Sequence, residues 1–273
     1  MLYPRTVAYP VVAIADLHGQ KESLERLSDR LKKLPEWSDC ALVFLGDFVD
    51  RGPDVRGTIK LVLELLGERP NHRTAVMGNH DLALVRAARL DDGPASPYWI
   101  ASYRDRYDHK RTFQSYLGRG PCYGDWEADL LLLREKIPVE HRRFLASLPW
   151  LVEATGHLFL HNGLSPELEQ SAEEQVEALR QRRWDDSLRP RAGTRTAELW
   201  QTHYPVWLGA DRRRSSRPLP YHGRVQVTGH VQVEHPEVNE VRIRLDTSGG
   251  DAHKPLTACL LRSASAEPEF VAT

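Results

Sequence analysis

The chain has 273 residues, with 37 lysines and arginines against 38 aspartates and glutamates, and 41% of its residues are hydrophobic. This length can bury a substantial core, and we expect a single domain spanning residues 1–273. Because the net charge is only −1, the chain has no overall positive field that would attract nucleic acid or an anionic membrane. We therefore expect neither of these partners.

Cysteine usage and the N-terminal stretch bear on the cellular compartment. Cys40, Cys122 and Cys259 lie far apart, and an odd number without paired spacing favours a reducing environment over a disulfide framework. The apolar run at residues 11–15 is too short for the core of a signal peptide or for a membrane span. We therefore expect a cytoplasmic protein.

The first predicted element is a buried strand at residues 11–15, followed by Asp16-Leu17-His18-Gly19 and then by leucines at helical spacing. Asp16 and His18 are two residues apart, so at an extended strand end their side chains point the same way. Two ligands of one metal ion need this arrangement. A capping aspartate and a surface histidine are the alternative interpretation.

The second predicted strand, residues 40–45, ends in a group of charges. Gly46 stops it, and Asp47, Asp50 and Arg51 follow directly. Open α/β sheets bind their ligands outside the carboxyl ends of strands. Carboxylates suit divalent metals, and the guanidinium fork suits phosphate oxygens. A helix with a one-sided apolar stripe is then predicted over residues 55–66.

The same strand and helix unit occurs a third time. A strand at residues 74–77 ends at Gly78, and Asn79, His80 and a helix over residues 82–88 follow. Residues 89–150 then mix aromatic, charged and turn residues, which indicates a helical insertion. Because the insertion would stand beside the ligand loops, we expect it to shape the substrate groove.

The remaining predicted elements again end in polar residues. A strand at residues 151–160 leads into His161, and a helix over residues 171–184 precedes a loop-rich stretch. Further strands are predicted at residues 225–228, before Gly229-His230, and at residues 241–245 and 256–262. These three strands are expected to complete a second sheet, and residues 263–273 are expected to fray.

Oxygen and imidazole ligands therefore collect at the predicted strand ends. They are Asp16, His18, Asp47, Asn79, His161 and His230. This set is too large for one ion and suits two, with Asp47 as the natural bridging carboxylate. Mixed nitrogen and oxygen donors favour manganese, iron or zinc over calcium or magnesium. We predict two divalent metal ions, manganese foremost, with iron or zinc as alternatives.

The residues beside these ligands predict proton transfer to a phosphate ester. We assign His80 as the general acid that protonates the leaving oxygen, with Asp50 orienting its ring. Arg51 would hold the nonbridging phosphate oxygens, and Asn79 is a further candidate contact for the phosphate. The nucleophile would be a water or hydroxide that bridges the metals and attacks in line.

Five blocks resemble, in order and spacing, the signature of the phosphoprotein phosphatase (PPP) family of calcineurin-like metallophosphoesterases. They are Asp16-Leu17-His18-Gly19, Gly46-Asp47-Phe48-Val49-Asp50-Arg51-Gly52, Gly78-Asn79-His80-Asp81, His161-Asn162-Gly163-Leu164 and Gly229-His230. The resemblance implies a four-layer α/β fold in which a central β-sandwich of mixed sheets is flanked by helices. It also implies that one metal takes Asp16, His18 and Asp47, and that the other takes Asp47, Asn79, His161 and His230.

Family members hydrolyse phosphomonoesters, most often on phosphoprotein serine or threonine. Ala15, Asp81 and Asn162 depart from the usual family residues without removing a ligand, and Arg212 resembles the second phosphate-binding arginine. Residues 246–250 stand where eukaryotic members carry a tyrosine-bearing loop, as in bacterial-type relatives, some of which prefer phosphotyrosine. The resemblance implies a phosphatase that acts on a phosphorylated protein or peptide.

Two alternatives remain open. Symmetrical dinucleoside tetraphosphate hydrolases resemble the chain in the first three blocks, but they usually lack the second carboxylate before the arginine, which is Asp50 here. A non-catalytic metal-binding module would not need a proton donor, its orienting carboxylate and an arginine together. We therefore favour the phosphatase.

Overall fold

The computed structural model describes residues 3–183 and 217–273. Its strands are β1 Val11–Ile14, β2 Ala41–Phe44, β3 Arg73–Ala75, β4 Val152–Ala154, β5 His157–Phe159, β6 Val225–Thr228, β7 Glu237–Val238, β8 Arg242–Arg244, β9 Thr257–Leu261 and β10 Glu269–Ala272. Its α-helices are α1 Lys21–Leu31, α2 Val55–Gly67, α3 Asn79–Ala87, α4 Pro97–Arg106, α5 Lys110–Leu117, α6 Trp126–Lys136, α7 Val139–Ser147 and α8 Ala172–Gln181.

The described strands form two five-stranded sheets, with the orders β10-β9-β1-β2-β3 and β4-β5-β6-β8-β7. In the first sheet β1, β2 and β3 are parallel, while β9 and β10 run antiparallel. In the second sheet β5, β6 and β8 are parallel, while β4 and β7 are antiparallel edges. The predicted fold class, mixed sheets flanked by helices, is confirmed.

Alternate side chains of each central strand pack into two different hydrophobic clusters. Val11 and Ala13 of β1 share a cluster between the sheets with Val227 of β6. Ile14 of the same strand instead joins the cluster that contains Leu24 of α1. Because both faces of the strand are buried, its sequence is a continuous run of apolar residues and does not alternate between apolar and polar residues.

Three sequence-based expectations about strands are wrong. Residues 151–160 form a hairpin of β4 and β5 that turns at Gly156, where φ is 81°. Strand β9 pairs with β1 and therefore belongs to the first sheet. Residues 263–273 are not frayed, because β10 pairs with β9 along its length. Each error concerns the choice of a pairing partner, which the period of side-chain burial does not encode.

The stretch from residue 89 to 150 is helical, as predicted, and contains α4, α5, α6 and α7. Helix α4 packs on α3, α5 packs on α2, and α7 packs on both α3 and α2. The stretch thus rests on the two helices that follow β2 and β3. Its description as an insertion into a single domain stays a prediction. Among the described residues, every helix is too short or too polar to cross a lipid bilayer.

Candidate metal centre and active site

The six predicted ligands converge at one end of the sandwich. Asp16 and His18 follow β1, Asp47 follows β2, Asn79 begins α3 after β3, His161 follows β5 and His230 follows β6. Because parallel neighbours present their carboxyl ends at the same edge, residues far apart in the chain meet there. Five of the six residues are buried, and the sixth, His230, is of intermediate exposure.

Asp47 lies at the centre of this group. Its Oδ2 atom is 3.4 Å from Nε2 of His18 and 3.5 Å from Nε2 of His161. Its Oδ1 atom accepts a hydrogen bond from the backbone N–H of His80 at 2.9 Å. Two sets of potential ligand atoms contain Asp47, one with His18 and His80 and the other with His161 and His230. The geometry therefore fits a carboxylate shared by two cations.

Backbone carbonyls orient two of the imidazole rings. His18 donates from Nδ1 to the carbonyl of Val49 at 2.8 Å, and His161 donates from Nδ1 to the carbonyl of Leu45 at 2.7 Å. Because Nδ1 of each ring donates to a carbonyl, Nε2 is the nitrogen that faces Asp47 and would be the one to bind a metal ion. Nε2 of His18 is buried and has no hydrogen-bond partner among the described residues. An orphaned imidazole nitrogen of this kind fits a metal ligand.

Asp16 and Asn79 lie at the margin of the cluster. The Oδ1 atom of Asn79 is 3.0 Å from Nε2 of His161. The carboxylate of Asp16 accepts the backbone N–H of His230 at 3.0 and 3.1 Å, and its Oδ1 lies 3.9 Å from Nδ1 of His161. The structure brings both residues to the site, and their roles as ligands stay predictions.

Buried carboxylates lie close together at the centre and shift the pKa values of neighbouring groups. Burial, together with the nearby carboxylates of Asp246 and Asp47, raises the pKa of Asp16 well above its usual value. Burial alone would lower the pKa of His161, but Asp47 and Asp16 outweigh it and raise that pKa. Both shifts come from carboxylates held close together away from solvent, and divalent cations would compensate for that negative charge.

Left-handed backbone conformations concentrate at the site. Nine non-glycine residues among those described have a positive φ, and five of the nine are predicted site residues. These five are His18, Asp47, Asp50, Arg51 and His230. Conformations of this kind cost on the order of 1–3 kcal/mol each and persist only where the surroundings hold them. The loops are therefore held in place by tertiary contacts rather than by their local preferences.

Two glycines leave room for the carboxylates of the centre. A Cβ atom at Gly78 would collide with Oδ1 and the backbone nitrogen of Asp47. A Cβ atom at Gly229 would collide with Oδ1 of Asp16. Glycine is required at these positions because the aspartates approach its backbone closely. Backbone conformation is not the reason at Gly78, since its φ is an ordinary −92°.

We expect Gly78→Ala to lower manganese affinity and turnover by about 10- to 100-fold, because the added methyl group displaces Asp47 without straining the local backbone. Calorimetric titration with manganese and turnover of p-nitrophenyl phosphate would measure both effects. Gly67→Ala is the matched control, since a Cβ at Gly67 meets no atom of the described part of the chain within 4 Å. Wild-type manganese affinity in Gly78→Ala would contradict the expectation.

His80, Asp50 and Arg51 form one connected group beside the centre. His80 donates from Nδ1 to Oδ2 of Asp50 at 2.7 Å. Arg51 donates from Nη2 to Nε2 of His80 at 3.3 Å and from Nη1 to the carbonyl of Gly249 at 2.9 Å. The ring of His80 stands edge-on to His18, with 4.7 Å between the centroids. The predicted acid, its orienting carboxylate and the arginine are thus in contact.

Asp81 ties two of the loops together, a role that the sequence analysis missed. Its carboxylate accepts the backbone N–H groups of Asp47 and Phe48, both at 2.8 Å, and of Gly78 at 2.9 Å. Burial and the charge of Asp47 raise its pKa to about 7. An acidic residue in the first turn of a helix is a capping signal. The position of Asp81 in the first turn of α3 is therefore the sequence feature from which its contacts to backbone N–H groups could have been predicted.

The loop after β8 closes one side of the site. Asp246 is buried and accepts the backbone N–H of Gly249 at 2.7 Å. A Cβ at Gly250, where φ is 83°, would lie 2.8 Å from Cδ of Arg51 and 3.0 Å from Cβ of His18. The loop therefore sets the position of the Arg51 side chain. Arg212, the predicted second phosphate contact, lies outside the described residues.

Comparison with known proteins identifies the family. The sequence model of the family described as calcineurin-like phosphoesterase matches residues 9–234. The chain belongs to this family. The resemblance seen in the signature blocks is thereby confirmed at the family level. The calcineurin-like phosphoesterases are metal-dependent hydrolases, and the histidines around Asp47 are candidate metal ligands in this chain.

Three known proteins similar to this calcineurin-like phosphoesterase carry different activities in their names. A stretch of 81 residues, 29% of this chain and 8% of the relative, is 37% identical to the serine/threonine-protein phosphatase BSL2 of Arabidopsis thaliana. A stretch of 79 residues, 29% of this chain and 25% of the relative, is 40% identical to the symmetrical bis(5'-nucleosyl)-tetraphosphatase of Ralstonia nicotianae.

The third is the crystal structure of a cold-active protein-tyrosine phosphatase from a psychrophilic Shewanella species. It matches with a TM-score of 0.58 and 19% identity, over 99% of this chain and 83% of that one. This likeness shows the shared fold. The first two matches cover only 8% and 25% of the length of those relatives, so they report a shared segment rather than a shared activity.

Proposed function

We propose that this calcineurin-like phosphoesterase is a phosphatase that hydrolyses phosphomonoesters on a phosphorylated protein or peptide. The observation that supports the proposal is the connected group of His80, Asp50 and Arg51 beside the central carboxylate of Asp47. Cleavage of a phosphomonoester needs a proton for the leaving oxygen and positive charge for the nonbridging oxygens. The group offers both within one hydrogen-bonded unit.

Asp47 would be shared by two divalent cations, manganese foremost. Asp16 and His18 would complete one site, and Asn79, His161 and His230 the other. The orphaned Nε2 of His18 and the two ligand sets around Asp47 support this fit. When bound, the cations supply an activated water and polarise the phosphoryl oxygens.

The chain's own residues then bind the substrate and move the proton. Arg51 holds the nonbridging oxygens, with Asn79 and Arg212 as further phosphate contacts. A guanidinium has only donors, so the contact between Arg51 and Nε2 of His80 requires an unprotonated Nε2. As Arg51 turns to the phosphate, Nε2 is free to take a proton from solvent and then pass it to the leaving oxygen, while Asp50 keeps the ring aligned through Nδ1.

A second candidate is symmetrical hydrolysis of a dinucleoside tetraphosphate. The 40% identity over 79 residues to the Ralstonia nicotianae enzyme favours it. The buried carboxylate of Asp50 favours the phosphatase, because the resemblance associates that residue with phosphoprotein phosphatases. A non-catalytic module is the least favoured, since the proton donor, orienting carboxylate and arginine are assembled in contact.

A comparison of three substrates tests the proposal. The manganese-loaded protein is assayed with a phosphotyrosine peptide, a phosphoserine peptide and diadenosine tetraphosphate, and Asp47→Asn serves as the control for contaminating phosphatases. We expect kcat/KM for one of the peptides to exceed that for the dinucleotide by about tenfold or more, because a site built for one phosphate group discriminates by the contacts it can complete. A higher kcat/KM for the dinucleotide would overturn the proposal.

A further inference from the structure

The carboxylate of Asp50 is fully buried, and its two oxygens have separate partners. The hydroxyl of Tyr103 donates to Oδ1 at 2.8 Å, and the hydroxyl of Thr112 donates to the same oxygen at 2.6 Å. His80 donates from Nδ1 to Oδ2 at 2.7 Å. Because two hydroxyl groups occupy the acceptor positions of Oδ1, Oδ2 is the oxygen left to face the imidazole.

Thr112 also fixes the side chain of Asp50 relative to its own backbone. Its Oγ1 atom accepts the backbone N–H of Asp50 at 3.0 Å while donating to the carboxylate. One hydroxyl thus bridges two groups of the same residue, which restricts rotation of the aspartate side chain. Asp50 needs such support, because its φ of 70° lies in the left-handed region.

The same short segment touches the other two members of the group. The carbonyl of Asp108 accepts the backbone N–H of Arg51 at 3.1 Å. The ring of Tyr107 stands edge-on to His80, with 4.8 Å between the centroids. Residues 103–112, from the end of α4 to the start of α5, therefore contact Asp50, Arg51 and His80 together.

We infer that Tyr103 and Thr112 are positioning residues for proton transfer, which hold the carboxylate of Asp50 so that it aligns His80 toward the leaving oxygen. The inference rests on the proposed role of His80 as the general acid. It gives residues 103–112 a task in the reaction in addition to the shaping of a groove. Neither hydroxyl bonds to a predicted metal ligand among the described residues, so the task is separate from metal binding.

Loss of either hydroxyl would leave a buried acceptor on Oδ1 without its partner, and the carboxylate would turn or recruit another donor. The imidazole would then lose its alignment, whereas the cations and Arg51 would stay in place. The loss of turnover should therefore appear only with substrates whose leaving group must be protonated before it departs. Phenyl phosphate has a poor leaving group that needs the acid, and p-nitrophenyl phosphate has a good one that does not.

The test compares kcat for these two esters in manganese-loaded Tyr103→Phe and Thr112→Val, which remove the hydroxyls with little change in volume. We expect each variant to lose about tenfold or more on phenyl phosphate, as for partial loss of an acid catalyst, and to change little on p-nitrophenyl phosphate. Thr112→Ser keeps the hydroxyl and should restore wild-type behaviour toward both esters. Manganese content and the melting temperature are measured for every variant.

Tyr116→Phe is the matched control. It also removes a buried hydroxyl from α5, but that hydroxyl contacts Nδ1 of His141 at 2.8 Å and not Asp50. An equal loss on both esters, or no loss on either, in Tyr103→Phe and Thr112→Val would overturn the inference. If His80→Asn shows the leaving-group dependence and both hydroxyl variants lack it, the inference alone is wrong. If His80→Asn lacks it too, the proposed acid is wrong and the inference falls with it.

Discussion

Asp47→Asn is expected to lower turnover of p-nitrophenyl phosphate by about 1,000-fold or more, because metal charge contributes several kcal/mol to transition-state stabilisation. The reason lies in the position of the carboxylate. Its Oδ2 atom lies 3.4 and 3.5 Å from the facing nitrogens of His18 and His161, so a neutral amide there weakens both cation sites at once. Mass spectrometry of bound manganese, measured together with turnover, should show a loss of metal that parallels the loss of activity.

Asp29→Asn provides the control for Asp47→Asn. Asp29 lies exposed on α1 and belongs to neither potential ligand set around Asp47, so the same change of charge should leave metal content and turnover unaltered. If Asp47→Asn retained two manganese ions per chain and full turnover, the shared carboxylate would be wrong. The phosphatase proposal would then lose the observation on which its metal chemistry depends.

His80→Asn is expected to reduce kcat for phenyl phosphate by about 100- to 10,000-fold, the range associated with a general acid. Turnover of p-nitrophenyl phosphate should stay close to that of the wild type, because its leaving group departs without a proton. Asparagine can still donate to Asp50, which limits disturbance of the buried carboxylate. Steady-state kinetics on the two esters measures this difference directly.

Metal content gives this variant a second readout. The ring of His80 lies in one potential ligand set with His18 and Asp47, so its geometry alone allows it to be a ligand or a proton donor. A proton donor can be replaced without loss of manganese, whereas a ligand cannot. Loss of manganese from His80→Asn would therefore contradict the assigned role. His253→Asn, in an exposed loop, controls for the loss of an imidazole elsewhere.

Local sequence patterns are sufficient to name the residues of the candidate metal centre. Short apolar runs predicted strands buried on both faces, and each run was followed by a turn and a polar residue suited to a metal. Because β1, β2 and β3 are parallel, the residues after them, including Asp16, Asp47 and Asn79, had to meet at one edge. The strand-helix-strand order predicts such parallel pairing, so these three residues can be grouped from the sequence.

Contacts between elements that are distant in the chain cannot be predicted from local sequence patterns. Tyr103 and Thr112 are 53 and 62 residues from Asp50 along the chain, and neither sits at a predicted strand end. The hydrogen bonds of Asp81 to the loop after β2, and the packing of Gly250 on Arg51, have no periodic signature either. They arise from how helices and loops pack after the sheets have formed.

The same distinction explains the errors in strand pairing. Side-chain period reports which faces of an element are buried, and it correctly described β9 as a buried strand. It carries no information about which strand pairs along each edge, so it does not reveal that β9 pairs with β1 or that β10 pairs with β9. Burial is a property of one segment and its composition, whereas pairing is settled by competition among all segments for the same partners.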